Sequence, residues 1–188
     1  MAKKLDQIIV VDVEATCWEG EPPPDQKNEI IEIGICTVEV ETAQRLEQLD
    51  LLVKPQESAV SEYCTRLTTL TQEEVDRGIS FEEACDILKQ KFRTKERAWA
   101  SYGDYDRNQF TRQCERRNVK YPFGPTHFNV KSLFAIVHRL KDEVGMAKAL
   151  ELMGMPLEGT HHRAGDDAWN IAGILCNMLR RARDGKPS

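Results

Sequence analysis

Ile8-Ile9-Val10-Val11-Asp12-Val13-Glu14-Ala15-Thr16-Cys17 is the stretch from which the fold can be read. Four β-branched apolar residues lead into a carboxylate, one apolar residue and a second carboxylate. The apolar run suits a strand buried on both faces. Successive side chains of a strand point to opposite sides, so Asp12 and Glu14 share one side. Two carboxylates side by side at the end of a buried strand repel each other and are costly to desolvate. A metal cation is the usual partner that makes such a pair favourable. The plainer alternative is a strand emerging into solvent, with each acid paired to Lys or Arg.

Outward from this strand, taken as residues 7–14, the chain alternates turn signals with periodic apolar runs. Pro22, Pro23 and Pro24 make the next segment a loop, because three consecutive prolines fit neither helix nor central strand. Glu29 to Val40 reads as a second strand and Gln48 to Val53 as a third, joined by a short link near Thr42 to Arg45 that suits an antiparallel hairpin. Thr71-Gln72-Glu73-Glu74 is a capping-box pattern opening a short helix, and Ser80 to Glu83 repeats it before a helix over about 81–92. Ala98 to Tyr102 is a fourth short strand. Helices are expected over 105–117, 131–141, 145–153 and 166–183, with a loop marked by Pro122 and Pro125. The architecture is α/β or α+β, a central mixed sheet with an antiparallel start flanked by helices.

The 188 residues are most simply one domain, spanning 1–188 with a core at about 7–180. A charged fraction of 30% and a formal charge of −5 suit a soluble globular protein and argue against a surface coated for duplex binding. Met1-Ala2-Lys3-Lys4 is followed only by a short apolar run that holds the two acids, so no secretory leader is expected, and no stretch is long enough for a membrane span. Cys17, Cys36, Cys64, Cys85, Cys114 and Cys176 are scattered without a Cys-x-x-Cys pair. They read as reduced core thiols of a cytoplasmic protein rather than zinc ligands.

Two further acidic doublets stand where elements begin. In Gly103-Asp104-Tyr105-Asp106, a helix starting near residue 105 puts Asp106 in one stripe with Gln109, Phe110, Gln113 and Cys114, whereas Asp104 joins Arg107, Asn108 and Thr111 and reads as an N-cap. In His161-His162-Arg163-Ala164-Gly165-Asp166-Asp167, Asp167 lies four residues before Ile171 on the apolar face of the last helix, and Asp166 aligns with Trp169 and Asn170 toward the outside. His162, in the preceding loop, has an unperturbed pKa near 6.5 that suits a general base. Each doublet read alone is also compatible with simple helix capping, and a lone loop histidine with a surface residue.

The ordered set resembles the DEDDh 3′→5′ exonuclease family: Asp-x-Glu on the first strand, an acid after the fourth, and His-x-x-x-x-Asp at the last helix. Asp12-Val13-Glu14-Ala15-Thr16-Cys17, Glu29-Ile30-Ile31-Glu32, Cys64-Thr65-Arg66-Leu67-Thr68, Gln72-Glu73-Glu74-Val75-Asp76, Gly103-Asp104-Tyr105-Asp106 and the run through Asp166-Asp167 and Asn170-Ile171-Ala172 are similar to its Eri-like branch, whose members trim histone mRNA ends, small RNAs and ribosomal RNA. The family motif falls on Asp12, Glu14, Asp106 and Asp167 as metal ligands and on His162 as base. The spacing also fits His161 with Asp166, and the inward face of the helix decides for Asp167.

The resemblance implies a ribonuclease H-like fold and two divalent ions, Mg²⁺ or Mn²⁺, which suit carboxylate ligands. It implies hydrolysis from the 3′ end of single-stranded nucleic acid or 3′ overhangs, RNA favoured over DNA, with release of nucleoside 5′-monophosphates. Ala15, Thr16 and Cys17 are expected to offer backbone groups to the terminal nucleotide, Leu67 and Thr68 to bracket its base, and Tyr105 or Trp18 to stack. Arg66, Lys131 and Arg163 are candidate phosphate contacts. The rival readings are a ribonuclease H-like endonuclease and a binding or interaction module with the same fold and no turnover.

Overall fold

The computed structural model describes residues 4–185. The reading of Met1 to Lys3 as free of a leader, and the outer ends of the 1–188 domain, lie outside the described residues. Five strands form one sheet in the order β3-β2-β1-β4-β5. They are β1 (Gln7–Ala15), β2 (Ile30–Glu39), β3 (Gln44–Leu52), β4 (Ala98–Ser101) and β5 (His127–Asn129). β1 pairs antiparallel with β2, and β2 with β3, while β4 and β5 add in parallel. The antiparallel start and mixed sheet expected from the sequence are present. The helices are α1 (Glu62–Thr68), α2 (Gln72–Asp76), α3 (Phe81–Lys91), α4 (Tyr105–Arg117), α5 (Val130–Val137), α6 (Met146–Leu152) and α7 (Ala164–Arg183).

The alternation of β1 divides the core. Ile9, Val11 and Val13 pack with α3 and α4 residues such as Phe81, Leu88 and Phe110. Ile8 and Val10 pack on the other face with Phe134, Leu150, Ile171 and Leu175 of α5, α6 and α7. Period-two geometry then places Asp12 and Glu14 on the α7 side. On β2 the same face carries Val38 and Cys36, followed by Gly34 and Glu32. Gly34 lies opposite Asp12, and Glu32 opposite Glu14. Glycine is required at Gly34, because a Cβ there would overlap the Ala164 carbonyl. A Cβ at Gly165 would likewise overlap the Asp50 carboxylate. The start of α7 therefore rests directly on the backbone of β2.

Several boundaries differ from the sequence reading. The hairpin link is tighter: β3 begins at Gln44, and Ala43 turns the chain with φ 52°. α1 has no counterpart among the expected helices; Ser61 caps it by accepting from the Cys64 N–H at 3.0 Å. The Thr71/Glu74 capping box forms in full, and Ser80 caps α3. Asp104 occupies the N-cap position of α4 without a side-chain cap bond, because its carboxylate pairs with Arg107 at 3.1 Å. β5 replaces part of the expected loop. Three residues are too few to show a period, and the strand exists because Trp99 and Ala100 of β4 supply its partners.

Candidate active site

The four candidate carboxylates arrive from three elements. Asp12 and Glu14 end the α7-facing row of β1, Asp106 sits in the first turn of α4, and Asp167 in the first turn of α7. One oxygen each of Asp12, Glu14 and Asp167 lie within 4.8 Å of one another. Asp106 joins them from the β4 side, accepting the Val13 N–H at 3.0 Å. All four line one cleft of about 330 Å³, with His161, His162, Tyr102 and Tyr105 around them. A larger cavity of about 470 Å³ lies elsewhere, near Cys114, Asn118 and Tyr121, away from these acids.

Burial and mutual repulsion shape their chemistry. Burial pushes the Asp12 carboxyl well above its ordinary range, and Asp106, Glu14 and Asp167 push it further. Burial, then Asp167 and Glu32, raise Glu14 to about 8. Burial takes Asp106 to about 7 despite its bond from Val13. Asp167 is raised by burial and held back by His161 and the His162 N–H. The described residues supply no cation that neutralises this set. A divalent ion would, and hard oxygen donors at this spacing fit Mg²⁺ or Mn²⁺.

The start of α7 is held by a different carboxylate. Glu32, fully buried, accepts from Arg163 Nε and Nη2 at 3.1 and 2.6 Å and from the Ala164 N–H at 2.7 Å. Arg163, a candidate phosphate contact in the sequence, is thus committed to Glu32. Arg66 pairs with Glu19, and Lys131 with Glu143. His162 takes a left-handed φ of 65°, which a non-glycine residue adopts only when its surroundings impose it. Its N–H donates to Asp167 at 3.0 Å, and its Nδ1 stands 3.9 Å from Glu14. Burial and the neighbouring His161 lower the His162 pKa, so the ring is neutral at pH 7. His161 stacks on His162 with centroids 4.0 Å apart, and its Nδ1 lies 3.0 and 3.1 Å from the two Asp167 oxygens. Asp166 points away and accepts the Thr160 N–H at 2.7 Å.

Asp106 has its own support. Ser101 Oγ lies 2.8 Å from His127 Nε2 and 2.9 Å from the Gly103 carbonyl, and also bonds the Asp106 carboxyl. Burial lowers His127 to about 4, so the ring is neutral. Both carbonyl and carboxyl are acceptors for the one hydroxyl proton, so we assign His127 Nε2 as the donor to Ser101.

Of the predicted substrate residues, Tyr105 and His162 line the cleft. Ala15, Thr16, Cys17, Leu67 and Thr68 are not among the residues that line it. Thr16 is fully buried: its N–H donates to the Glu29 carbonyl at 2.8 Å, and its own carbonyl accepts from Asn28. The Ala15 carbonyl accepts from Cys64 Sγ, and the Cys17 carbonyl from Ser61. The buried Thr68 hydroxyl bonds the Cys64 carbonyl at 2.9 Å, and Leu67 is half-buried on α1. Of the backbone groups expected to meet a nucleotide, the carbonyls of Ala15, Thr16 and Cys17 and the Thr16 N–H are engaged within the fold. Trp18 is half-buried and outside the cleft lining.

Residues 9–175 match the RNase_T family, described as exonuclease. The chain belongs to the RNase_T exonuclease family. It is 31% identical over 185 residues to human 3′-5′ exoribonuclease 1, covering 93% of this chain and 53% of that protein. It is 28% identical to the 3′-5′ exonuclease Snipper of Drosophila melanogaster, covering 92% of this chain and 69% of that one. The chain thus spans about half the length of the exoribonuclease 1 relatives. Its fold superposes on the nuclease domain of 3′hExo, a DEDDh family member solved bound to rAMP, with a TM-score of 0.81 and 28% identity over 98% of this chain and 96% of that one. The Eri-like resemblance and the ribonuclease H-like fold agree with these relatives.

Within this RNase_T domain, sequence reasoning missed Ser101 and His127; it quoted Glu32 within a motif without giving it a role, and weighed His161 only as a partner for Asp166. Glu32 had a signal: an acid within an otherwise apolar strand, Ile30-Ile31-Glu32-Ile33, requires a buried cation. Ser101 and His127 had none, because their meeting depends on β5 pairing with β4. Asn170 lay within a recognised motif; it ties the loop before α7 through Glu158, donating to that residue's carbonyl at 2.7 Å and accepting its N–H at 3.0 Å.

Proposed function

We propose that the chain is a metal-dependent 3′→5′ exonuclease acting on single-stranded RNA or RNA 3′ overhangs and releasing nucleoside 5′-monophosphates. The observation that carries this reading is the convergence of four carboxylates, Asp106 and Asp167 buried and Asp12 and Glu14 partly buried, with a neutral histidine in one cleft of an RNase_T domain. The preference for RNA is supported by the exoribonuclease names of the relatives and by the rAMP bound to 3′hExo. The free cysteines are compatible with a reducing cytoplasm.

Asp12, Glu14, Asp106 and Asp167 would hold two divalent cations, which supply activation of a water and stabilisation of the leaving oxygen when bound. The chain's own residues do the rest. His162, neutral and beside Glu14 at the mouth of the cleft, takes the proton of the attacking water. The Asp167 carboxylate fixes the His162 backbone, and Glu32 with Arg163 fixes the turn in which both stand. Tyr105, half-exposed on the rim, stacks on a base without sequence preference. Ala15 to Cys17, Leu67 and Thr68 form the wall behind the terminal nucleotide.

The test uses matched 5′-labelled RNA and DNA strands with Mg²⁺ or Mn²⁺. Shortening from the 3′ end, faster on RNA, absent in EDTA and abolished in Asp12→Asn and His162→Ala, is the expected result. Undiminished hydrolysis by Asp12→Asn, or cleavage of a circular RNA, would sink it.

A further inference from the structure

The chain carries a net charge of −5, yet Arg107 to Lys120 holds five basic residues against one acid, Glu115. Of these, Arg107, which pairs with Asp104, lies on another face of α4, and Lys120 lies beyond the helix; basic residues along one helix edge are the electrostatic footprint of a nucleic-acid path. On α4, Tyr105, Arg112 and Arg116 are seven and four residues apart and share one edge of the helix, spanning about 16 Å of its axis. Tyr105 lies at the cleft end of that edge.

Hydrogen bonds draw the three side chains toward Asn28. The Tyr105 hydroxyl donates to Asn28 Oδ1 at 3.4 Å, and Arg116 Nη2 donates to the Asn28 carbonyl at 3.3 Å. Arg112 donates to Gln109 Oε1 at 2.7 Å, and Gln109 in turn bonds the Asn28 carbonyl. Arg112 pairs with no carboxylate among the described residues. Among carboxylates of the described residues Arg116 pairs with Glu57 at 3.3 Å, a partly exposed ion pair of the weak kind that a phosphate can displace. The loop after β1 is more acidic: Glu21 and Asp25 are exposed beside Lys27, and Glu19 is paired with Arg66.

We propose that this edge of α4, from Tyr105 through Arg112 to Arg116, is a backbone track for the nucleotides upstream of the 3′ end, holding single-stranded nucleic acid by its phosphates. It rests on the exonuclease reading above. Guanidinium groups match phosphate geometry, and contacts to phosphate carry no base preference, which suits an enzyme that must advance along any sequence. Glu57 competes with the strand for Arg116 and Arg117 and so limits its affinity.

Binding of a 5′-fluorescent single-stranded RNA of about 12 nucleotides, measured by anisotropy in EDTA between about 50 and 200 mM KCl, tests the track. On a single strand, each phosphate that the protein no longer neutralises flattens the slope of log K against log[salt] by about 0.7. Arg112→Gln with Arg116→Gln should therefore flatten it by about 1.4, and Arg112→Gln, which breaks no ion pair, by about 0.7. Glu57→Gln should tighten binding. With Mn²⁺, the double variant should lose several-fold more kcat/KM on the 12-mer than on a dinucleotide, whereas a folding defect lowers both alike. A wild-type protein that cleaves neither substrate removes the exonuclease reading. Cleavage by the wild type, with an unchanged salt slope in the double variant or weaker binding by Glu57→Gln, overturns the track alone.

Discussion

Glu14 and Glu32 face each other across β1 and β2 on the same side of the sheet, and their environments are opposite. Glu32 has a guanidinium on its oxygens and a backbone N–H at 2.7 Å. Glu14 has three like charges around it and a histidine at 3.9 Å, with Arg163 only weakly opposing its raised pKa. A buried carboxylate that the fold satisfies is scaffold; a group of them left unsatisfied is a site awaiting a cation. Here the satisfied acid anchors the turn that delivers Asp167 and His162 to the unsatisfied ones.

The widest separation is expected between Asp12→Asn and Glu32→Gln. Removing the Asp12 charge should cost several kcal/mol of transition-state stabilisation, about a hundred- to a thousand-fold in turnover. The same change should raise the melting temperature in EDTA by relieving repulsion. Glu32→Gln should lower it by roughly 5–10 °C, for a loss of about 2–4 kcal/mol, because Arg163 then loses its partner. Calorimetry on both variants breaks the comparison if the two shifts share a sign.

A pH series sharpens it. Glu14 has a native pKa of about 8 against an ordinary 4.5, so the native state binds the proton more tightly than the unfolded chain. Its contribution is present below about pH 4.5 and is lost as pH rises toward 8. Melting temperatures in EDTA should fall across that window by several degrees. Mg²⁺ or Mn²⁺ should restore more at about pH 8 than at about pH 5, because cation and proton compete for the same oxygens. A metal increment independent of pH would place the ion elsewhere.

The smallest effect is assigned to the support of Asp106. Ser101→Ala, and separately His127→Phe, which retains a ring against Trp99, should weaken Mn²⁺ binding by about tenfold in titration calorimetry. Unchanged affinity in both would leave the Ser101 bond a packing detail.

Much of this protein is legible along the chain. The buried row of β1, the helix stripe that turns Asp106 inward and Asp104 outward, and the apolar face of α7 that selects Asp167 over Asp166 are local periodicities, fixed by the pitch of a strand or a helix. Each gives the side that a carboxylate faces without knowledge of its neighbours. β5 was illegible because three residues show no period, and α1 because its seven residues lie among competing turn signals.

The sequence alone determined which side chains face inward and in what order the acids come, because both follow from backbone geometry over a few residues. Tertiary structure decided which charges meet. Glu32 finds Arg163 across 131 positions, Ser101 finds His127 across a strand pair, and His161 joins His162 in the cleft. Those meetings depend on the close approach of α7 to β2 at Gly34 and Gly165, a contact between distant segments that no local period encodes.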